Sequence, residues 1–126
     1  MTGPETLPPL LLAYVGDAVY ELYVRCKLVS GGAKPLRLLH RETVRHVGAA
    51  GQSEALRLLL PHLTEQETAM VRYGRNSKSR VPKSASMSAY RQATGLETLF
   101  GYLYLKGDLP RIAALLELIN PEEEQK

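Results

Sequence analysis

The sequence predicts an all-α protein, on three observations. Apolar residues return at three- and four-residue spacing along most of the chain, which is the period of one helix face. No stretch alternates apolar and polar residues with the period of two that a half-buried strand requires. Glycine, proline and capping residues stand between the periodic stretches, where helix ends need them.

The first helix opens at Pro8 and Pro9, since a missing N–H is tolerated in a first turn. Leu10, Ala13, Tyr14, Asp17, Tyr20, Glu21 and Val24 carry its periodicity to Leu28, and Ser30-Gly31-Gly32 ends it with left-handed backbone. A second helix starts at Lys34-Pro35 and takes Leu36, Leu38 and Leu39 toward His40. A third runs over 42–60 to Pro61, with Gly48 and Gly51 weakening its middle. Thr64 and Glu67 have the spacing of a capping box, opening a fourth helix that fades near Gly74. Residues 74–85 read as a polar, basic loop containing Pro82. A fifth helix spans 86–106 and closes at Gly107; Asp108 caps a sixth that ends before Pro121.

The 126 residues suit one domain, read over 1–126 with its core at 8–120 and an acidic tail at 121–126. Hydrophobic residues at 44% and charged residues at 23% are the composition of a folded globular chain rather than a disordered one. The single cysteine, Cys26, excludes an internal disulfide and a Cys-based zinc site, and is expected to be a buried thiol. His40, His46 and His62 lack metal-ligand spacing. No apolar run approaches the roughly 20 residues of a membrane span, and the first residues lack the pattern of a signal peptide. The expected location is the cytoplasm, with no membrane partner.

Net charge is +3, and its distribution says more than its size. Between Glu67 and Glu97 stand Arg72, Arg75, Lys78, Arg80, Lys83 and Arg91 with no acid, and between Glu21 and Glu42 stand Arg25, Lys27, Lys34, Arg37 and Arg41, again with none. Such segregation suits either a face for a phosphate backbone or a solvated basic surface.

Two acids fall among residues expected to face other helices. Asp17 shares a stripe with Leu10, Ala13, Tyr20 and Val24, and Glu97 shares one with Tyr90, Thr94, Gly101 and Tyr104. A buried carboxylate needs a basic partner, hydrogen bonds or a metal ion. Gly16 flanks one acid, and Gly95 and Gly101 surround the other. Glycine inside a helix costs about 1 kcal/mol, so these positions suggest close helix approach. If the two helices cross there, Asp17 and Glu97 meet in one small space, and a hard divalent cation would relieve their repulsion. Pairing of each acid with a neighbouring base or hydroxyl is the alternative. Glu21, one turn after Asp17, is either a supporting acid or the partner of Arg25. Six of the seven tyrosines (Tyr14, Tyr20, Tyr23, Tyr90, Tyr102, Tyr104) lie on these two helices and are expected mostly in the core.

Three stretches carry a family resemblance. Leu12-Ala13-Tyr14-Val15-Gly16-Asp17-Ala18-Val19-Tyr20-Glu21 resembles the first helix of the ribonuclease III catalytic domain, with its Leu-Gly-Asp-Ala-Val run. Thr94-Gly95-Leu96-Glu97-Thr98-Leu99-Phe100-Gly101-Tyr102-Leu103-Tyr104-Leu105 resembles a later helix of the same fold. Tyr73-Gly74-Arg75-Asn76-Ser77-Lys78-Ser79 is similar to the Arg-Gly-Arg-Asn-Ala-Lys-Ser segment of the short branch called Mini-ribonuclease III. Together they cover the chain from Leu10 to Leu116 in the right order.

The resemblance implies a ribonuclease III endonuclease domain acting as a homodimeric helical bundle. Asp17 matches the family's catalytic aspartate and Glu97 its metal-binding glutamate. Two further acids of the full-length enzymes are replaced by Ala13 and Thr94, as in the short branch, and a third acid is also absent, its place taken by Leu10. The implied activity is magnesium-dependent cleavage of double-stranded RNA to 5′-phosphate and 3′-hydroxyl ends. The implied substrate is the stem bracketing precursor 23S ribosomal RNA, with room for a ribosomal-protein helper. No separate RNA-binding domain is expected, so affinity falls to Arg72, Arg75, Asn76, Lys78, Ser79 and Lys83, with Arg91, Arg37 and Arg41 as secondary contacts. The alternatives are a non-catalytic RNA-binding protein of the same fold associated with ribosome assembly, and a protein-interaction module.

Overall fold

The computed structural model describes residues 3–77 and 86–119. They form six α-helices: α1 (Pro9–Ser30), α2 (Leu36–Val47), α3 (Ala49–Leu59), α4 (Glu65–Arg75), α5 (Met87–Lys106) and α6 (Leu109–Ile119). Short 3-10 turns at Pro4–Thr6 and Leu60–His62 complete the order, and no strand occurs among the described residues. The all-α expectation is correct.

Long α5 is the centre of the bundle. Its middle is buried without a break from Ala93 to Leu96 and again from Thr98 to Leu103, because α1, α3 and α4 all pack against it. A helix buried on nearly every side must be apolar all round, and Leu96, Leu99, Phe100 and Leu103 meet that demand. From α1 come Leu12, Val19, Tyr20, Val24 and Leu28; from α3 come Ala55, Leu56 and Leu59; α6 closes the core with Ile112, Leu115 and Leu116. The Tyr20 ring meets Phe100 edge-on, centroids 5.3 Å apart. Of the tyrosines, Tyr20 and Tyr102 are buried as expected, whereas Tyr14 is 80% exposed and Tyr104 is also exposed. Cys26 is exposed as well, contrary to expectation; it lies half a turn from Val24 and Leu28, on the solvent side of α1.

The ends of the helices follow their capping residues. Ser86 accepts a hydrogen bond from the Ala89 N–H, and Gly107 takes φ +88° beyond the end of α5. The Asp108 carboxylate accepts from the Arg111 N–H in the first turn of α6. The main departure lies between the second and third helices. The expected break near His40 is absent, and α2 runs on to Val47. The chain breaks instead at Gly48, whose ψ of 166° is extended. Gly51 makes this corner tight: a Cβ there would lie 2.1 Å from the Arg45 carbonyl oxygen. The two glycines that weaken a continuous helix are the ones that turn it.

Glu67 does more than complete the capping box with Thr64, where both reciprocal bonds form at 2.9 and 3.1 Å. It is 5% exposed, and its two oxygens accept from Arg111 Nε at 2.7 Å and from Arg111 Nη2 at 2.8 Å. Burial pushes this carboxyl up, but Arg111 and the Thr64 N–H outweigh burial and hold it below its ordinary value. Its stabilisation is therefore full above the unfolded value of 4.5 and is lost as pH falls through the lowered one. Arg111→Met would strand a buried carboxylate, a mechanism that costs about 3–5 kcal/mol when both partners are buried. Arg111 is partly solvated, so a loss of about 2–3 kcal/mol is expected in urea titration at pH 7.

Candidate active site

The closest approach in the bundle is where α1 crosses α5. A Cβ on Gly16 would lie 1.6 Å from the Glu97 carbonyl oxygen, and one on Gly101 would lie 1.9 Å from that of Leu12. Only glycine at both positions lets the two backbones touch. Gly95 takes no part in this crossing, because its open side faces the Val71 carbonyl oxygen of α4, at 2.8 Å. Gly74 of α4 likewise makes room for the Thr98 hydroxyl, 2.1 Å from where its Cβ would be.

Asp17 follows Gly16, and Glu97 presents its backbone to the same glycine, so the crossing puts both carboxyl groups on one side of the junction. Glu97 is half-buried and Asp17 exposed. The buried stripe of α1 runs through Leu12, Ala13, Gly16, Val19, Tyr20 and Val24, which leaves Leu10 and Asp17 on its solvent edge, contrary to the expected stripe. Asp17 thus faces water while Glu97 stands behind it.

That placement has an electrostatic consequence. Desolvation raises the Glu97 carboxyl, a hydrogen bond from Gln52 opposes the rise, and the neighbouring Asp17 adds to it, leaving Glu97 pushed up to about 8. None of the groups acting on Glu97 is a basic side chain. A hard cation taking oxygen ligands fits this unrelieved pair of carboxylates. No group of three metal-ligating side chains occurs among the described residues. Ala13 and Thr94 are buried, and the Thr94 hydroxyl donates back to the Tyr90 carbonyl at 3.0 Å.

Nothing in the sequence pattern singles out Gln52. It is 2% exposed, and its Nε2 donates to the Val47 carbonyl at 2.8 Å and to Glu97 Oε2 at 3.1 Å. Only the corner at Gly48 and Gly51 brings it beneath Glu97, and helical periodicity does not reveal such a corner. Glu21 is engaged by Arg25, at 3.0 Å from Nε and 2.5 Å from Nη2.

The basic residues frame a second region, where α4 ends and α5 begins. Arg75 and Asn76 line a cleft of about 470 Å³ with Met87, Ser88, Arg91 and Gln92. Arg72 and Asn76 line another of about 430 Å³ beside Pro9 and Tyr73, where the Tyr73 hydroxyl donates to the Leu7 carbonyl at 3.0 Å. Lys78, Ser79 and Lys83 lie outside the described residues. Arg37 and Arg41 are exposed on α2.

Residues 10–108 match the Ribonuclease III domain. The chain belongs to the ribonuclease III family. Within it, the chain is similar to the short members named Mini-ribonuclease 3. The protein of that name from Thermoanaerobacter sp. (strain X514) is 48% identical over 117 residues, covering 92% of this chain and 82% of the relative. That from Symbiobacterium thermophilum is 48% identical over 118 residues, covering 93% and 91%. That from Synechococcus sp. is 49% identical over 119 residues, covering 94% and 85%. A crystal structure of a Fusobacterium nucleatum protein superposes with a TM-score of 0.80 at 27% identity, covering 88% of this chain and 91% of that one. As a member of the ribonuclease III family the chain is an endoribonuclease. No helix among its described residues is long and apolar enough to cross a membrane.

Proposed function

We propose that this endoribonuclease cleaves double-stranded RNA at a site where Asp17 and Glu97 share a magnesium ion. The observation that carries the reading is the crossing at Gly16 and Gly101, which sets an exposed carboxylate beside a half-buried one. Magnesium, when bound, supplies a Lewis acid for the scissile phosphate and a water acidified for in-line attack. The chain's own part is geometric. The solvent-facing Asp17 is the group a phosphodiester can reach, and Glu97 behind it would become a ligand by giving up the proton that burial and Asp17 make it hold. Asp17 and Glu97 would hold the ion, and water and phosphate oxygens could supply its other ligands, as magnesium tolerates.

Duplex RNA is held through phosphates and 2′-hydroxyls rather than by base reading. Arg72, Arg75 and Asn76, with Arg91 across the cleft, form the contact, which Lys78, Ser79 and Lys83 extend. Both strands are cut if two copies pair, and α1 offers a surface for that: Leu10, Leu11 and Tyr14 are 41, 55 and 80% exposed one to two turns before Asp17. Contiguous apolar exposure of this kind marks an interaction site. The proposed substrate is the stem bracketing precursor 23S ribosomal RNA in the cytoplasm, with a ribosomal protein as helper.

The test is incubation with long duplex RNA, with and without magnesium. Magnesium-dependent cutting to 5′-phosphate ends is expected, lost in Asp17→Asn while gel-shift affinity persists. Binding without cutting under any divalent ion would favour a non-catalytic RNA binder. For the contact surface, Arg75→Ala with Arg91→Ala is expected to lower the log–log salt slope of binding by about 2. Stability should change by less than about 1 kcal/mol for the pair. An unchanged slope would place the RNA elsewhere.

A further inference from the structure

Gln52 lies where two structural demands meet. Because α2 stops at Val47, the carbonyl of its last residue lacks an intrahelical donor. The Gln52 amide supplies one, Nε2 to Val47 O at 2.8 Å. The second hydrogen of the same nitrogen is directed at Glu97 Oε2, 3.1 Å away. An amide nitrogen has two hydrogens and both are committed. Rotating the amide by half a turn would set its oxygen against the Val47 carbonyl oxygen, so that carbonyl fixes which end of Gln52 faces Glu97.

The rest of the side chain shows what this arrangement is for. Gln52 Oε1 is buried with no hydrogen-bond partner among the described residues. An unpartnered buried carbonyl is unfavourable, and a site asking only for packing would be filled at lower cost by Met or Leu. What Gln52 adds over them is a donor of fixed direction beneath a carboxylate.

Resting on the shared-cation reading above, we propose that Gln52 is the positioning residue for Glu97. Its amide, locked by the Val47 carbonyl, holds Oε2 of Glu97 in one place and leaves the other oxygen for the cation shared with Asp17. The α2–α3 corner at Gly48 and Gly51 thereby belongs to the active site, since it delivers both the carbonyl and the amide. Supporting groups behind metal ligands act in this way, by fixing carboxylate orientation before the metal arrives.

The experiment is calorimetric titration of manganese(II), without RNA, into the wild type, Gln52→Met, Gln52→Asn and Glu97→Gln, with steady-state cleavage and thermal melting of each. Gln52→Met keeps the length and removes the donors; Gln52→Asn keeps the amide but cannot span both acceptors, and serves if the first variant does not fold. Expected for each folded variant is manganese affinity about 10–100-fold weaker. kcat should fall about tenfold or more, with KM for duplex RNA unchanged. Wild-type manganese affinity and kcat in a variant that only melts earlier would overturn the proposal, leaving Gln52 as a cap for α2. Equal manganese binding by wild type and Glu97→Gln would overturn the shared-cation reading itself, a failure visible without reference to Gln52.

Discussion

Glu97→Gln is expected to abolish cleavage of duplex RNA, by at least about a thousandfold in kcat, while stabilising the metal-free protein at alkaline pH. The two effects have one source. Glu97 is raised to about 8 by burial first and by Asp17 beside it, against an ordinary value of 4.5 in the unfolded chain. Between those values the folded state holds a proton that the unfolded state has released. Stability is therefore full below about pH 4.5 and is lost as pH rises through about 8. The uncharged amide that replaces the carboxyl in the variant has no proton to lose. Urea midpoints from pH 5 to 9 should fall by an amount equivalent to a few kcal/mol in the metal-free wild type and stay nearly level in the variant. Added magnesium should reverse the wild-type loss, because cation and proton compete for one carboxylate. A wild type as stable at pH 9 as at pH 5 would show that Glu97 is solvated or already paired.

Gly16→Ala should be the most damaging methyl group that can be added to this protein. The new carbon would sit 1.6 Å from the Glu97 carbonyl oxygen, which is backbone and cannot rotate away. Alanine gains about 1 kcal/mol of helix propensity, but the two longest helices must part along their contact. Overpacking of well-filled cores costs about 1–3 kcal/mol and occasionally more, and a backbone clash belongs at the upper end. A net loss of about 3 kcal/mol is expected by denaturant titration, which for a domain of this size lowers Tm by about 10 °C. Activity should fall further than stability, because separating α1 from α5 also separates Asp17 from Glu97. Gly32→Ala is the control: it has φ +123° with open space around it, so it costs local strain but leaves the crossing intact. Equal activity losses in the two variants would mean that the crossing does not position the site.

Much of this could be read from the residues. Thr64 with Glu67, Gly107 and Asp108 marked helix ends through local capping chemistry, which needs no tertiary information, whereas the Ser86 cap of α5 came only with the structure. Gly16 and Gly101 pointed to the α1–α5 contact because glycine in a helix is unfavourable unless something must come close. What local chemistry could not supply was direction. Gly95 looks equivalent to Gly101 in the sequence, yet it serves α4. Asp17 sits at the edge of its stripe rather than within it, a difference of one helix face that periodicity does not resolve. Arg111, 44 positions from Glu67, and Gln52, 45 positions from Glu97, are pairings that only the packed chain creates.

The measurement that bears most directly on the shared-cation site is a crystal structure of the wild type soaked in manganese, with anomalous scattering recorded at the metal edge. One peak is expected between the Asp17 and Glu97 carboxylates, about 2.0–2.3 Å from an oxygen of each. Its disappearance is expected in Glu97→Gln crystals under the same soak. A peak bound to neither carboxylate, or none at all in crystals whose protein still cuts RNA, would contradict the shared cation.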